Sequence, residues 1–277
     1  MVIDEPTADD CPHTNDIPML GLGTWKNSDP ETCATSVETA LEMGYRHVDT
    51  AQAYGNEQAV GNGIASADVD RQKVFVATKV WIDSLAHDEV LETTTQSLQR
   101  LGLDTIDLLY VHWPARTYDP ESTLAAFNEL YDDGKIDRIG VSNFQPDQLR
   151  AATEISAAPI AANQIECHPL LDQATLRDVA AELDVTLVAY SPLARGDVFD
   201  VAVLRDIAGE HGVSPAQVSL AWLRQRGVVA IPKATSTAHI ADNWSSLSLQ
   251  LSDSELDRID GIEETIRCVD PEFGPWN

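Results

Sequence analysis

The chain has 277 residues, 43% of them hydrophobic, enough to bury a sizeable core in one large domain. Forty-five acidic residues against 18 basic give a net charge of −27, which argues against nucleic acid and anionic membrane surfaces as partners. No apolar run reaches the ~18 residues of a membrane span, Met1-Val2-Ile3-Asp4-Glu5 lacks the basic start of a secretory signal, and four scattered cysteines (Cys11, Cys33, Cys167, Cys268) show no metal-like spacing, so a reduced cytoplasmic protein is expected.

Residues 1–16 are polar and acidic and read as a loosely ordered segment, leaving 17–277 as a single domain. Ile17 to Trp25 is a short apolar element punctuated by Gly21 and Gly23. Helix and strand then alternate. Val37, Ala40 and Leu41 have helical spacing, with Gly44 as a left-handed cap before a strand at Tyr45–Asp49. A second strand is Val74–Lys79. A face of Val90, Leu91, Leu98 and Leu101, stopped by Gly102, precedes a third at Ile106–His112. Leu124, Phe127, Leu130 and Tyr131, stopped by Gly134, precede a fourth at Arg138–Val141. Pro146 suits the first turn of a helix carrying Leu149, Ala152 and Ile155. Strands follow at Ala161–Ile165, Thr186–Tyr190 and Gly227–Ile231, and an eighth, weaker one is expected near Leu247–Leu251. Strict alternation gives a parallel sheet, and a strand count near eight favours a closed (β/α)8 barrel with a short N-terminal hairpin.

Asp49, Lys79 and His112 each close an apolar strand, and Tyr54 lies in the loop after the first of them. A buried ionisable residue is unfavourable by several kcal/mol, on the order of 2–7 for a polar group left unpaired. Repeated over successive strands, the pattern implies one polar pocket at the carboxyl end of a barrel. A Tyr beside a Lys and an Asp is a tuned acid, the ammonium drawing the phenol's pKa of about 10 toward working pH. A neutral His nearby positions a carbonyl oxygen or relays a proton. Later strand ends supply Ser142, Asn143, Gln164, Glu166, Tyr190, Ser191 and Lys233, groups suited to a flat heteroaromatic ring and to a phosphate.

From Ile17 to the C-terminal helix, the chain resembles the aldo-keto reductases. The matching segments include Leu20-Gly21-Leu22-Gly23-Thr24-Trp25, Tyr45-Arg46-His47-Val48-Asp49-Thr50-Ala51, Tyr54-Gly55-Asn56-Glu57, Lys79-Val80-Trp81 and His112-Trp113-Pro114. They continue through Gly140-Val141-Ser142-Asn143-Phe144, Asn163-Gln164-Ile165-Glu166, Tyr190-Ser191-Pro192-Leu193 and Ile231-Pro232-Lys233. The resemblance implies a (β/α)8 barrel that reduces aldehydes or ketones with a nicotinamide cofactor and needs no Rossmann domain. Tyr54 would donate the proton, Lys79 and Asp49 would tune it, and His112 would orient the carbonyl. Ser142, Asn143 and Gln164 would bind the carboxamide, Tyr190 would stack on the nicotinamide, and Ser191 and Leu193 would follow the pyrophosphate. Thr24 joins the cofactor set, and Trp25, Trp81 and Trp113 match aromatic positions of the substrate pocket.

Two departures from the family pattern bear on the cofactor. Ala234 and His239 stand where the family has a Ser and an Arg for the adenosine 2′-phosphate, and Asp242 replaces the usual Glu near the adenine, while Lys233 and Asn243 remain. NADP(H) is therefore favoured less strongly than the family implies, leaving NAD(H) or dual use open. The short run after Tyr190 also predicts an open site without a long loop over the cofactor. His47 is read as structural, and Trp276 as either capping the pocket or packing on the barrel. Two other function classes compete: a non-catalytic nicotinamide-binding redox sensor, and a barrel metallohydrolase using Asp49, His112, Glu166 and His168, which Lys79 argues against. The substrate is expected to be a small carbonyl compound and the protein a monomer. The charge, with only five Lys, predicts a chain adapted to molar salt, where the Debye length falls to about 3 Å.

Overall fold

The computed structural model describes residues 6–277. A two-stranded antiparallel hairpin, β1 (His13–Thr14) with β2 (Ile17–Pro18), precedes eight parallel strands. These are β3 (Leu22–Gly23), β4 (His47–Asp49), β5 (Phe75–Val80), β6 (Leu108–Val111), β7 (Ile139–Ser142), β8 (Ile160–Glu166), β9 (Thr186–Tyr190) and β10 (Val229–Ala230), paired in chain order. Parallel bridges Leu20 to Ala230 and Gly23 to Lys233 join the last strand to the first and close the barrel. Gly23 is required at that seam, because a Cβ there would lie 2.5 Å from the Ile231 carbonyl oxygen.

Helices α1 (Pro30–Met43), α2 (Glu57–Ser66), α3 (His87–Leu101), α4 (Pro120–Asp132), α5 (Pro146–Ile155) and α6 (Ala174–Glu182) follow β3 to β8 in turn. After β9 come α7 (Ala202–His211) and α8 (Pro215–Gln225), and after β10 come α9 (Thr237–Ser245) and α10 (Asp253–Asp260). A short polar residue before a proline starts several of them. Asp29, Asp119 and Ser214 accept the amides of Thr32, Ser122 and Gln217, while Pro30, Pro120 and Pro215 occupy the first turn.

Strand parity sorts the side chains. Val76, Leu109, Val111, Val141, Ile165 and Leu187 face the helices in the larger core, while Phe75, Ala77, Leu108, Tyr110, Ala162 and Val188 fill the barrel with Ile17 and Met19 of the hairpin segment. The inward rows run on from Ala77 to Lys79, from Tyr110 to His112, from Ala162 to Gln164 and from Val188 to Tyr190. An apolar barrel interior therefore ends in a polar layer at its carboxyl end.

The eighth strand differs from the sequence expectation. It is β3, within the glycine-punctuated element, and Leu247–Leu251 is a 3-10 turn followed by extended chain. Leu249 and Leu251 are buried at a strand-like period, but the Leu251 backbone is satisfied by the Gln225 side chain at 2.8 and 2.9 Å instead of by a neighbouring strand. Tyr131 and Ile155 are exposed, outside the apolar faces assigned to them. Gly44 caps α1 at φ 128° and ψ −10°, outside the left-handed helical well, and a Cβ there would lie 2.7 Å from the Trp244 ring. Of the acidic segment expected to be loosely ordered, residues 1–5 lie outside the described residues. Ala8–Asp10 form a 3-10 turn, Cys11 is buried, and the Trp244 indole donates to the Pro6 carbonyl at 2.7 Å. Among the described residues, no helix is long and apolar enough to cross a membrane.

Candidate active site

A cavity of about 890 Å³ opens at the carboxyl end of the barrel. Beneath it, the Lys79 ammonium donates to Asp49 Oδ1 at 2.5 Å and to the Thr50 carbonyl at 2.7 Å, and the Gln164 amide donates to Asp49 Oδ2 at 2.7 Å. Lys79 and Asp49 are buried, so each charge depends on the other. Burial pulls the Lys79 ammonium below its usual range, and the Asp49 carboxylate opposes that fall.

Tyr54 sits in a single 3-10 turn, Gln52–Tyr54, stopped by Gly55 in the left-handed region, which aims the ring back over the barrel mouth. Its ring centroid is 5.2 Å from Lys79 Nζ and 6.0 Å from the His112 ring. The expectation that Lys79 draws the Tyr54 phenol toward working pH is corrected here. Burial pushes the hydroxyl well above its ordinary value, and the Asp49 and Tyr190 oxygens push in the same direction. The ammonium is held by Asp49 and Thr50, so its field at Tyr54 is offset by the adjacent carboxylate. His112 is held well below the usual imidazole range, first by burial and then by Lys79, and is neutral at pH 7. The site thus presents a protonated phenol and a neutral imidazole to the same cavity.

The groups expected around a nicotinamide form one hydrogen-bonded set. Ser142 Oγ donates to the Gln164 carbonyl at 2.9 Å, Asn143 Nδ2 to the His112 carbonyl at 3.1 Å, and the Tyr190 hydroxyl to Asn143 Oδ1 at 2.8 Å. Asn143 adopts φ 65°, a left-handed conformation that asparagine tolerates better than most residues, and its side chain bonds inward to the His112 carbonyl. Gln164 therefore links this set to the Asp49–Lys79 pair. Thr24 lines the wall, its hydroxyl donating to the Asp49 carbonyl at 3.0 Å. Ser191 and Leu193 line the wall after β9, on a loop tied to α8 by the Ser219 hydroxyl donating to the Pro192 carbonyl at 2.7 Å.

Trp25, Trp81 and Trp113 all line the cavity. Lys233 lies at its edge, exposed, but Ala234 is buried and His239 is exposed on α9, and neither lines the cavity. Asp242 directs both carboxylate oxygens to α8, accepting from Ser214 Oγ at 2.7 Å and Gln217 Nε2 at 2.6 Å. Asn243 is buried beside it on α9. His47 lies inside the barrel, 4.9 Å from the Phe75 ring, with Nδ1 3.3 Å from the Pro18 carbonyl.

Two features escaped the sequence reading. The loop after β9 is short, yet it reaches across the mouth: the Arg195 guanidinium sits 4.6 Å from the Trp25 ring centroid, and Lys26 Nζ is 4.5 Å from the same ring. The site is therefore bridged on that side instead of open. Phe273, from the C-terminal segment, completes the aromatic wall at 5.4 Å from Trp113 and 6.4 Å from Trp81. Trp276 packs behind it, 5.6 Å from Trp113. Pro271 and Pro275 flank Phe273 in a run of turns, which carries no helical or strand period to read. The residues of the metallohydrolase reading do not converge. Asp49 is engaged by Lys79 and Gln164, while Glu166 and His168 group with Cys268, their ligand-type atoms within 4.8 Å of one another.

A sequence model of the aldo/keto reductase family matches residues 19–264. An aldo-keto reductase of Mycolicibacterium smegmatis is 41% identical over 254 residues, covering 90% of this chain and 90% of its own. A glyoxal reductase of Bacillus subtilis is 39% identical over 252 residues, covering 91% of each. The crystal structure of a Bombyx mori aldo-keto reductase in complex with NADP superposes with a TM-score of 0.88 at 32% identity, over 97% of this chain and 96% of that one.

Proposed function

We propose, from the fact that the chain belongs to the aldo/keto reductase family, that it reduces small aldehydes or ketones to alcohols with Tyr54 as the proton donor. The observation that carries this is the pairing of a protonated Tyr54 and a neutral His112 over a buried Lys79–Asp49 pair. The cavity suits a nicotinamide dinucleotide. Tyr190 offers a ring face, Ser142, Asn143 and Gln164 offer polar groups at depth, and Lys26, Arg195 and Lys233 meet no carboxylate within salt-bridge distance among the described residues. When bound in its reduced form, that cofactor supplies the hydride to the carbonyl carbon.

Tyr54 gives its proton to the carbonyl oxygen as negative charge develops there. His112, neutral, holds the oxygen without competing for the proton. Lys79, fixed by Asp49 and Thr50, lies 5.2 Å from the Tyr54 ring centroid, so the phenolate left behind faces a pair without net charge and, with its raised pKa, takes a proton back from solvent. Trp25, Trp81, Trp113 and Phe273 exclude water from the reacting carbon and favour compact apolar carbonyls. We read residues 17–277 as one catalytic unit, monomeric and cytoplasmic. NADP(H) remains favoured through Lys233, with NAD(H) admitted because His239 cannot make the paired contacts of an arginine.

The test is oxidation of NADPH and NADH, followed by loss of reduced-nicotinamide absorbance, in molar KCl with simple aldehydes. Consumption with either cofactor supports the reading, and none in folded protein rejects it. The net charge of −27 supports adaptation to high salt. Dialysis into dilute buffer should unfold the chain, and full stability there would overturn that adaptation.

A further inference from the structure

The C-terminal segment enters the aromatic wall of the cavity from one fixed point. Glu166, the last residue of β8, is buried, and its carboxylate is occupied by the backbone of that segment. Oε1 accepts the Cys268 amide at 2.5 Å and lies 3.1 Å from His168 Nε2, while Oε2 accepts the Val269 amide at 2.9 Å. Burial alone would push the Glu166 carboxyl up, but bonds from His168, Cys268 and Val269 outweigh it and hold the group below its ordinary value. The Ile266 amide adds a bond to the Leu170 carbonyl at 2.9 Å, so residues 266–269 are docked along the chain that follows β8.

Beyond this point the segment folds on itself. The Trp276 indole and the Asn277 amide donate to Asp270 Oδ1 at 2.8 and 3.1 Å, and the Arg267 guanidinium lies 4.0 Å from the Trp276 ring centroid. Phe273 is thereby held against Trp113 and Trp81. These later polar contacts are internal to the segment, and only the rings of Phe273 and Trp276 reach the barrel mouth, at Trp81 and Trp113. The two backbone amides on Glu166 are what bond the segment to a strand.

We infer that Glu166 is a positioning residue for substrate selection, a carboxylate clasp that sets where Phe273 stands and so the size of carbonyl compound the cavity grips. Two amides on one carboxylate fix both position and direction of the segment, which one bond would not do. The Lys79 hydrogen bonds do not involve the segment, and Phe273 reaches His112 only through the Trp81 ring, 5.0 Å from the imidazole. Its loosening changes how well a bulky apolar substrate is held, with the chemistry at the carbonyl unaltered. The selectivity part rests on the proposed reductase activity, whereas the clasp itself does not.

The experiment compares wild type, Glu166→Gln and Phe273→Ala in molar KCl. In Glu166→Gln the side-chain NH2 faces a backbone N–H, so one bond is lost and the segment loosens. Hydrogen exchange read by mass spectrometry over residues 266–277 should accelerate at least tenfold in Glu166→Gln, with strand peptides unchanged. The ratio of kcat/KM for 4-nitrobenzaldehyde to that for propanal should fall at least fivefold in both variants, whatever loss the two aldehydes share. Unchanged exchange in Glu166→Gln would overturn the clasp. An equal loss on both aldehydes in Phe273→Ala would overturn the selective role, and that variant decides it even where Glu166→Gln does not fold. If wild type reduces neither aldehyde, the reductase reading fails, while the exchange measurement still tests the clasp.

Discussion

Replacing Lys79 by Met keeps all but the last atom of a side chain that is about 1% exposed and removes its charge. The Asp49 carboxylate, about 2% exposed, then retains the Gln164 amide at 2.7 Å, and the Thr50 carbonyl loses its 2.7 Å donor from Lys79. Removing one partner of a buried ion pair destabilises by about 3–5 kcal/mol, because the charge left behind stays out of water. An unmade hydrogen bond to Thr50 adds about 1 kcal/mol. The sum, about 4–6 kcal/mol, is a large part of the roughly 5–15 kcal/mol that holds a typical fold, and corresponds to about 8–12 °C in Tm at about 2 °C per kcal/mol. Urea unfolding in molar KCl, followed by tryptophan fluorescence, measures it. The companion Asp49→Asn, Lys79→Met variant carries neither charge and should recover to within about 2 kcal/mol of wild type. A loss below about 1 kcal/mol in Lys79→Met, or a double variant no more stable than the single, would refute the argument that an orphaned charge is what destabilises.

Tyr54→Phe removes only the hydroxyl, so carbonyl reduction should fall to near background while cofactor titration by quenching of protein fluorescence is unchanged; retained turnover would reject Tyr54 as the acid. With the Tyr54 pKa raised above 10.0 and that of His112 lowered below 6.5, neither group changes charge between those values. The reduction rate should therefore show no step from either group in that window, a fall confined to its alkaline end reporting the Lys79 proton that burial loosens. The reverse oxidation, which needs a deprotonated oxygen, should rise with pH; a reduction rate that falls near neutrality would mean a group with an unraised pKa supplies the proton. His239→Arg on the exposed face of α9 should raise the NADPH-to-NADH ratio of kcat/KM about tenfold or more, the equivalent of one charge-assisted bond of about 1.5–3 kcal/mol; an unchanged ratio would place the ribose end of the cofactor away from α9.

The sequence was most legible where chemistry conflicts with packing. Lys79, His112, Gln164 and Tyr190 follow Ala77, Tyr110, Ala162 and Val188 on inward-facing rows, and that reversal is visible without coordinates. The Tyr54 pKa was less legible because its direction depends on whether the Lys79 charge is free or already offset, which only the Asp49 and Thr50 contacts decide. The eighth strand was misassigned because β3 contains Gly23 at the barrel seam and has almost no apolar period, whereas Leu247, Leu249 and Leu251 alternate while bonding to a glutamine side chain. Phe273 and Arg195 come from segments with neither helical nor strand period, so their convergence on the cavity left no pattern to read.

The barrel closes at its thinnest place. Strands β3 and β10 each span two residues, and the hydrogen bonds between them are few: Gly21 N to Ala230 O at 2.9 Å, Ala230 N to Met19 O at 2.9 Å and Gly23 N to Pro232 O at 3.1 Å. The neighbouring β3–β4 and β9–β10 ladders pair two residues each, and the ladder lengthens away from the seam, to five pairs between β8 and β9. Local opening follows the least-bonded segment, so amide protons at this seam should exchange before those of β5 to β9. Thr24 and Trp25 stand on one lip of the seam and Lys233 on the other, so the joint that yields first is also a hinge beside the cavity mouth, where a bound dinucleotide would span both lips and act as a staple across them.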